Sequence, residues 1–225
     1  MSTWPSGKFG AILADPPWRF ECWSETGDAA HGVPPYERMT FDEIAALPVE
    51  SVAASDSVLF MWICWPSLPD ALRIISDWGF EYKTCGFCWV KGDDRQADFF
   101  RDEFTAYMGL GYWTRANSEV CLLATRGKPK RLNADVRQAI IAPRRQHSRK
   151  PDGIHERIER LVVGPYLELF ARQRRPNWVC WGNEVDKFKP YDAQDDFAKS
   201  LEVGYDHIRD RVANGGKRGF MDEPS

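Results

Sequence analysis

Two adjacent prolines, Pro16 and Pro17, cut off the apolar run Phe9-Gly10-Ala11-Ile12-Leu13-Ala14, with Asp15 just before the break and Trp18 just after it. A short apolar run with β-branched and aromatic members predicts a buried strand over 9–14. Proline has no N–H and fixes φ at about −65°, so the sheet cannot continue past residue 15 and the turn is stiff, with carbonyls left over. In an open α/β sheet, ligands bind at the carboxyl edge where such turns emerge. This turn holds a carboxylate, a backbone carbonyl and a large ring. Two acceptors suit an amino group with two hydrogens to donate, and the ring suits a stacked nucleobase. The same residues also suit an ordinary strand-ending turn with a capping Asp and a core Trp.

Further strands are predicted over Val58–Ile63, Lys83–Val90, Glu119–Ala124, Tyr166–Ala171 and Trp178–Trp181. Several are continuously apolar, as strands covered on both faces must be. Helical spacing falls between them. Thr40-Phe41-Asp42-Glu43 has the form of a capping box opening Ile44–Leu47. Pro66–Trp78 places Leu68, Ala71, Leu72, Ile75 and Trp78 on one face, and Pro151–Val163 does so with Ile154, Ile158, Leu161 and Val162. Asp152 falls in the first turn of that last helix, where the dipole favours it. Strands alternating with helices predict an α/β fold with a mostly parallel sheet and helices on both faces.

The 225 residues suffice for one substantial core. A single domain over 1–184 is expected, followed by a charged tail over 185–225 that is partly helical or disordered. Glu21–Tyr36 and Gly92–Gly111 lack a clean period and read as functional loops. No apolar stretch of about 18 residues and no secretory leader is evident, which points away from the membrane. The cysteines lie mostly inside apolar runs, as reduced thiols of a cytoplasmic protein do. Cys85-Gly86-Phe87-Cys88 has no second pair at zinc spacing and reads as core packing rather than a metal site. The net charge is −3, yet residues 126–175 carry 14 Lys/Arg against 5 Asp/Glu. Such asymmetry suits either solvated helix faces or a phosphate track, with Arg126, Lys128, Lys130, Arg131, Arg144, Arg145 and Arg149 as its candidates.

Glu168-Leu169-Phe170-Ala171-Arg172 closes one strand and Pro176-Asn177-Trp178 opens the next, which ends in Gly182-Asn183. A strand-end carboxylate can accept hydrogen bonds from ribose hydroxyls, and nearby Arg and Asn can hold other polar groups of a nucleoside. Lys150 stands before a helix whose first amides favour a carboxylate or phosphate. Neither a G-x-G-x-x-G nor a G-x-x-x-x-G-K-[ST] motif occurs, so nicotinamide and phosphate-loop chemistry have no support.

Together these segments resemble the MT-A70 adenine-N6 methyltransferases. The likeness is carried by Phe9–Trp18, Pro35-Tyr36, Met39-Thr40, Leu59–Trp62, Trp89-Val90-Lys91, Ser148–Asp152, Ile158-Glu159-Arg160, Glu168–Arg172 and Pro176–Asn183, in family order. The resemblance implies a Rossmann-like S-adenosylmethionine methyltransferase fold, circularly permuted so that the catalytic turn precedes the cofactor-binding strand. It also implies methyl transfer to the adenine N6 amine, with DNA ahead of RNA as substrate and a homodimer or heterodimer as possible assemblies. Asp15, Pro16, Pro17 and Trp18 would form the amine site. Tyr36, Trp62, Trp113, Arg115, Asn117 and Glu119 would lie on the substrate side. Asp15, Lys150, Glu168, Phe170, Arg172 and Asn183 would hold the cofactor. Gln173-Arg174-Arg175 departs from the His-Asn pair usual after the arginine, and Glu184 replaces a Gln. Methylation of a protein amino group and a non-catalytic scaffold subunit are the other readings; the intact Asp15 and Trp18 disfavour the scaffold.

Overall fold

The computed structural model describes residues 3–19, 38–92, 113–143 and 149–190. Tyr36, Arg144, Arg145, both long loops apart from their ends, and the tail beyond 190 lie outside the described residues.

The described strands are β1 (Phe9–Ala14), β2 (Ala53–Ile63), β3 (Glu81–Gly92), β4 (Ser118–Arg126), β5 (Ala139–Pro143), β6 (Tyr166–Leu169) and β7 (Trp178–Trp181). They form one sheet in the order β5-β3-β4-β2-β1-β6-β7. All pairings are parallel except the two made by β4, which runs antiparallel between β2 and β3. The mostly parallel α/β sheet expected from the sequence is therefore present. β5 was not expected. Only Ile140 within it is buried, and Pro143 ends it, as suits an edge strand.

Side-chain alternation along β1 and β2 builds two cores. Ile12, Ala14, Leu59, Met61 and Ile63 point to one face. There they meet α1 (Phe41–Ala45), α2 (Val49–Val52) and α3 (Leu68–Asp77) through Ile44, Val49, Val52, Ala71, Ile74 and Ile75. Ala11, Leu13, Val58, Phe60 and Trp62 point to the other face, against Ile154 and Ile158 of α4 (Gly153–Leu161). Helices thus cover both faces. The capping box at α1 is present: the Glu43 N–H donates to Thr40 Oγ1 at 3.2 Å, and the Thr40 N–H donates to Glu43 Oε2 at 2.7 Å. Cys85 and Cys88 pack against the first core from β3. Among the described residues no helix is long and apolar enough to cross a membrane.

The start of the expected tail does not leave the domain. The Phe188 N–H donates to the Arg172 carbonyl at 3.1 Å, and Gln173 Nε2 donates to the Lys189 carbonyl at 2.6 Å. Residues 185–190 are folded back along the carboxyl edge of the sheet.

Candidate active site

The turn after β1 is closed on itself. The Trp18 N–H donates to the Pro16 carbonyl at 2.9 Å and the Met39 N–H to the Pro17 carbonyl at 3.0 Å. The expectation that these carbonyls stand free is corrected: each has one hydrogen bond and keeps only its second lone pair. Trp18 is also corrected. It is 6% exposed, and its indole N–H donates to the Trp62 carbonyl at 3.0 Å. The ring fills the first core beside Phe41 and offers no face for a base. A large amphipathic ring next to a strand end is pulled inward when a buried carbonyl can take its N–H. The core-Trp reading of the motif describes this residue.

Asp15 stands at the mouth of an open cleft on the α4 face of the sheet. Lys150 Nζ donates to both of its carboxylate oxygens, at 2.7 and 2.8 Å, and Arg172 approaches Oδ2 at 3.4 Å. Lys150 also reaches Glu119 at 3.3 Å, and Glu119 pairs with Lys91 at 2.6 Å. Strand direction explains the convergence. β4 runs antiparallel, so its first residues, with Glu119, come to the same edge as the ends of β1 and β3. Burial alone would lower the affinity of Lys150 for its proton, but Asp15 and Glu119 outweigh it and hold the amine as an ammonium. Burial likewise pushes Glu119 upward, and Lys150 and Lys91 overcome it, bringing the carboxyl down to about 2. Cys64, at the end of β2, is pushed up to about 11 by burial and by neighbouring Glu119, so at neutral pH it is a thiol and not a nucleophile.

The Glu119 pair has a testable consequence. A carboxyl depressed in the folded state stabilises the fold above its unfolded value of 4.5 and loses that contribution as pH falls toward about 2. Removing one member of a partly buried pair strands the charges that remain. Glu119→Gln is expected to lower Tm at pH 7 and to flatten the acid limb of a Tm-against-pH curve between about pH 4.5 and 2. An unchanged curve would mean that the pair contributes nothing to stability.

The cleft is lined by Leu13, Asp15, Trp62, Lys150, Glu168, Phe170 and Arg172, all candidates or neighbours of candidates in the sequence, and also by Arg149, Asp152, His155, Gln173, Arg175 and Phe188. Phe170 sits just past β6 with φ 62°, a left-handed conformation that costs about 1–3 kcal/mol for a non-glycine residue. It is braced edge-on by Trp181 at 5.9 Å. Trp62 contributes to the wall at 1% exposure, with the Lys150 ammonium 5.5 Å from its ring centre. It is a wall residue and not a surface for substrate.

Other candidates are not gathered here. Asn183 is exposed and outside the cleft lining. Trp113 is 91% exposed, and Arg115 is also exposed. Both precede β4, outside the cleft. The Asn117 carbonyl is used by the Lys91 N–H at 2.8 Å. The proposed phosphate track is divided. Arg126 pairs with Glu50 at 3.0 Å at the far end of β4, about 17 Å along the strands from Asp15 by the sheet register. Lys128 follows it, its N–H donating to Asp56 at 2.6 Å. Arg149 instead faces the cleft, with Asp152 at 3.3 Å and its guanidinium 5.0 Å from the Phe188 ring centre. Asp152, expected in the first turn of α4, stands one position earlier, at its N-cap; it makes no side-chain capping bond and is held between Arg149 and Arg175.

Residues missed from sequence include Lys91, His155 and Phe188, while Arg149, a phosphate-track candidate, lines the cleft instead. Lys91 closes the motif Trp89-Val90-Lys91 and could have been singled out there. His155 was hidden because it shares the inward face of α4 with Ile154 and Ile158, where a histidine reads as core.

An open, mostly parallel α/β sheet that sets a carboxylate on a proline-locked turn beside a cleft at its carboxyl edge defines a class of ligand-binding α/β protein. The model of the MT-A70 family matches residues 9–184, and the chain belongs to that family, with its Rossmann-like methyltransferase fold. It is 33% identical over 184 residues to the N(6)-adenosine-methyltransferase catalytic subunit METTL3 of Homo sapiens, a match covering 80% of this chain and 29% of that protein. It is 32% identical over 192 residues to the N(6)-adenosine-methyltransferase MT-A70-like protein of Drosophila melanogaster, covering 84% and 29%. Against the type II methyltransferase M.MunI of a Mycoplasma species it is 29% identical over 199 residues, covering 80% of this chain and 79% of that one. The chain therefore spans less than a third of the eukaryotic relatives.

Proposed function

We propose that this protein is an S-adenosylmethionine-dependent methyltransferase acting on the N6 amine of adenine in a polynucleotide, DNA ahead of RNA. The observation that carries the reading is Asp15, held by its proline turn on the rim of a cleft whose walls bear Glu168, Phe170 and Arg172. The preference for DNA rests on the likeness to the type II methyltransferase M.MunI, 29% identical over 199 residues.

The cleft suits the methyl donor. Acidic groups (Asp15, Asp152, Glu168) and cations (Arg149, Lys150, Arg172, Arg175) line it together, which suits a ligand bearing an ammonium, a carboxylate and a sugar diol. Glu168 would take the hydroxyls, Phe170 would bound the adenine side, and Lys150 with the first amides of α4 would favour the carboxylate. When bound, S-adenosylmethionine supplies a methyl group made electrophilic by its sulfonium.

The protein's own contribution is alignment. The adenine amine is a weak nucleophile because its lone pair is delocalised into the ring. Asp15 would accept one of its hydrogens and the second lone pair of the Pro16 carbonyl the other, favouring a pyramidal nitrogen. Holding both partners in line can contribute about 7–11 kcal/mol without a strong base. Lys150 takes one lone pair on each Asp15 oxygen and Arg172 approaches Oδ2, so the second lone pair of Oδ1 is the acceptor left for the amine, and Glu119 helps to hold the ammonium in place. Because Lys150 is held protonated it acts as a cation, not a base. The free thiols among the described residues fit a cytoplasmic setting.

Incubation with methyl-labelled S-adenosylmethionine and defined DNA and RNA oligomers, followed by nucleoside analysis, tests the reading. N6-methyladenine is expected in DNA. Label in RNA alone would overturn the preference for DNA, and label in neither would overturn the function.

A further inference from the structure

We infer that His155 is a positioning residue of the cleft: it fixes the Glu168 carboxylate so that one oxygen remains to receive a vicinal diol. The inference rests on the reading of this cleft as the S-adenosylmethionine site and adds a residue that neither motif nor family likeness singled out.

His155 Nε2 lies 2.9 Å from Glu168 Oε2. Strand parity brings the two together. Leu167 and Leu169 of β6 point to the first core, so Glu168 between them points to the α4 face, where His155 is 8% exposed. The ring has little freedom to turn. Trp178 meets it edge-on at 4.8 Å and 85°, and Trp178 is itself stacked on Tyr166 at 4.9 Å. The Trp178 indole N–H donates to Glu159 at 2.7 Å, and the Tyr166 hydroxyl donates to the Val162 carbonyl at 2.9 Å. Each ring in this row is tied to backbone or a carboxylate, so the imidazole is a fixed post and not a loose side chain.

A Glu at a strand end has three rotatable bonds, and ordering it on binding costs side-chain entropy. Committing Oε2 to a post that is already rigid removes that cost before the ligand arrives and leaves Oε1 to accept from a hydroxyl. His155 Nδ1 is buried without a hydrogen-bond partner among the described residues. A histidine kept only for packing has no reason to hold a desolvated ring nitrogen when an apolar side chain would fill the same space without that penalty. The Nε2 contact to Glu168 gives the reason.

The test is calorimetric binding of S-adenosylhomocysteine and its 2′,3′-dideoxy analogue to the full chain, in wild type, His155→Phe and His155→Gln, with Tm measured for each. In wild type, loss of the diol is expected to weaken binding about tenfold or more, the scale of a hydrogen bond to a charged group. In His155→Phe the parent ligand is expected to weaken by about tenfold while the dideoxy analogue changes by less than about threefold, because the diol contact is already lost. His155→Gln keeps a donor toward Glu168 and is expected to recover most of the affinity. Equal weakening of both ligands in His155→Phe would show a merely structural role and overturn the inference, as would unchanged binding of both. Loss of folding in His155→Phe leaves the decision to His155→Gln: it must keep the preference for the diol-bearing ligand, and an absent preference there overturns the inference. If wild type binds neither ligand, the cofactor reading itself fails and takes this inference with it; if it binds both equally, only the inference fails.

Discussion

Replacing Asp15 with Asn is expected to lower turnover by about 10²–10³-fold, the usual effect of removing a preorganised group that meets developing charge, while S-adenosylmethionine affinity changes only a few-fold. The amide keeps one acceptor, so the amine can still be oriented. What is lost is the negative charge beside a nitrogen that becomes cationic as the methyl group arrives. The site makes the loss sharper. Lys150 Nζ now stands 2.7 and 2.8 Å from two carboxylate oxygens, and with Asn it would face one oxygen and one NH₂ group. The ammonium would be left to Glu119 at 3.3 Å and would no longer be drawn toward the turn. Single-turnover kinetics at saturating methyl donor, alongside titration of the donor itself, separates the two effects. Turnover within a few-fold of wild type would refute the role assigned to the carboxylate.

Trp18→Ala is expected to act on stability rather than on substrate affinity. Truncating a buried Trp costs about 3–5 kcal/mol, and here the Trp62 carbonyl loses its donor as well. For a chain of this size each kcal/mol shifts Tm by about 2–4 °C, so a fall of roughly 6–20 °C is expected. Trp18→Phe keeps most of the apolar volume and should cost less. In whatever fraction remains folded, the KM for nucleic acid is expected to stay close to wild type. A raised KM with an unchanged Tm would restore the stacking role and remove the strut.

The contrast between these two neighbours shows what the sequence carried and what it did not. Alternation and helical spacing predicted the sheet, the face of α4 and the capping box at Thr40, because each is written in residues a few positions apart; on α3 the expected face was partly off, since Leu72 is exposed and Ile74 is buried in its place. The edge strand β5 escaped because one buried Ile gives no period to read. At the site, Asp15, Glu168, Phe170 and Arg172 follow from their places at strand ends. Their partners do not: Lys150 meets Asp15 across 135 residues, and Arg172 meets it across 157. Whether Trp18 faces solvent or core depended on a carbonyl 44 residues away. The charge count for residues 126–175 suggested one track, whereas the antiparallel run of β4 sends Arg126 to the opposite rim from Glu119.

The single antiparallel strand also governs where insertions can be absorbed. Leu13, Trp62 and Glu168 each reach the cleft because of their parity within their strands, and one extra residue inside β1, β2 or β6 would rotate everything beyond it into the opposite layer. Register irregularities occur in β1 between Phe9 and Ala11 and in β3, away from the residues that reach the cleft; beyond such bulges, length variation belongs in the connections past the strand ends, so new specificities in proteins built this way are written outside the sheet, around a chemical centre held in register.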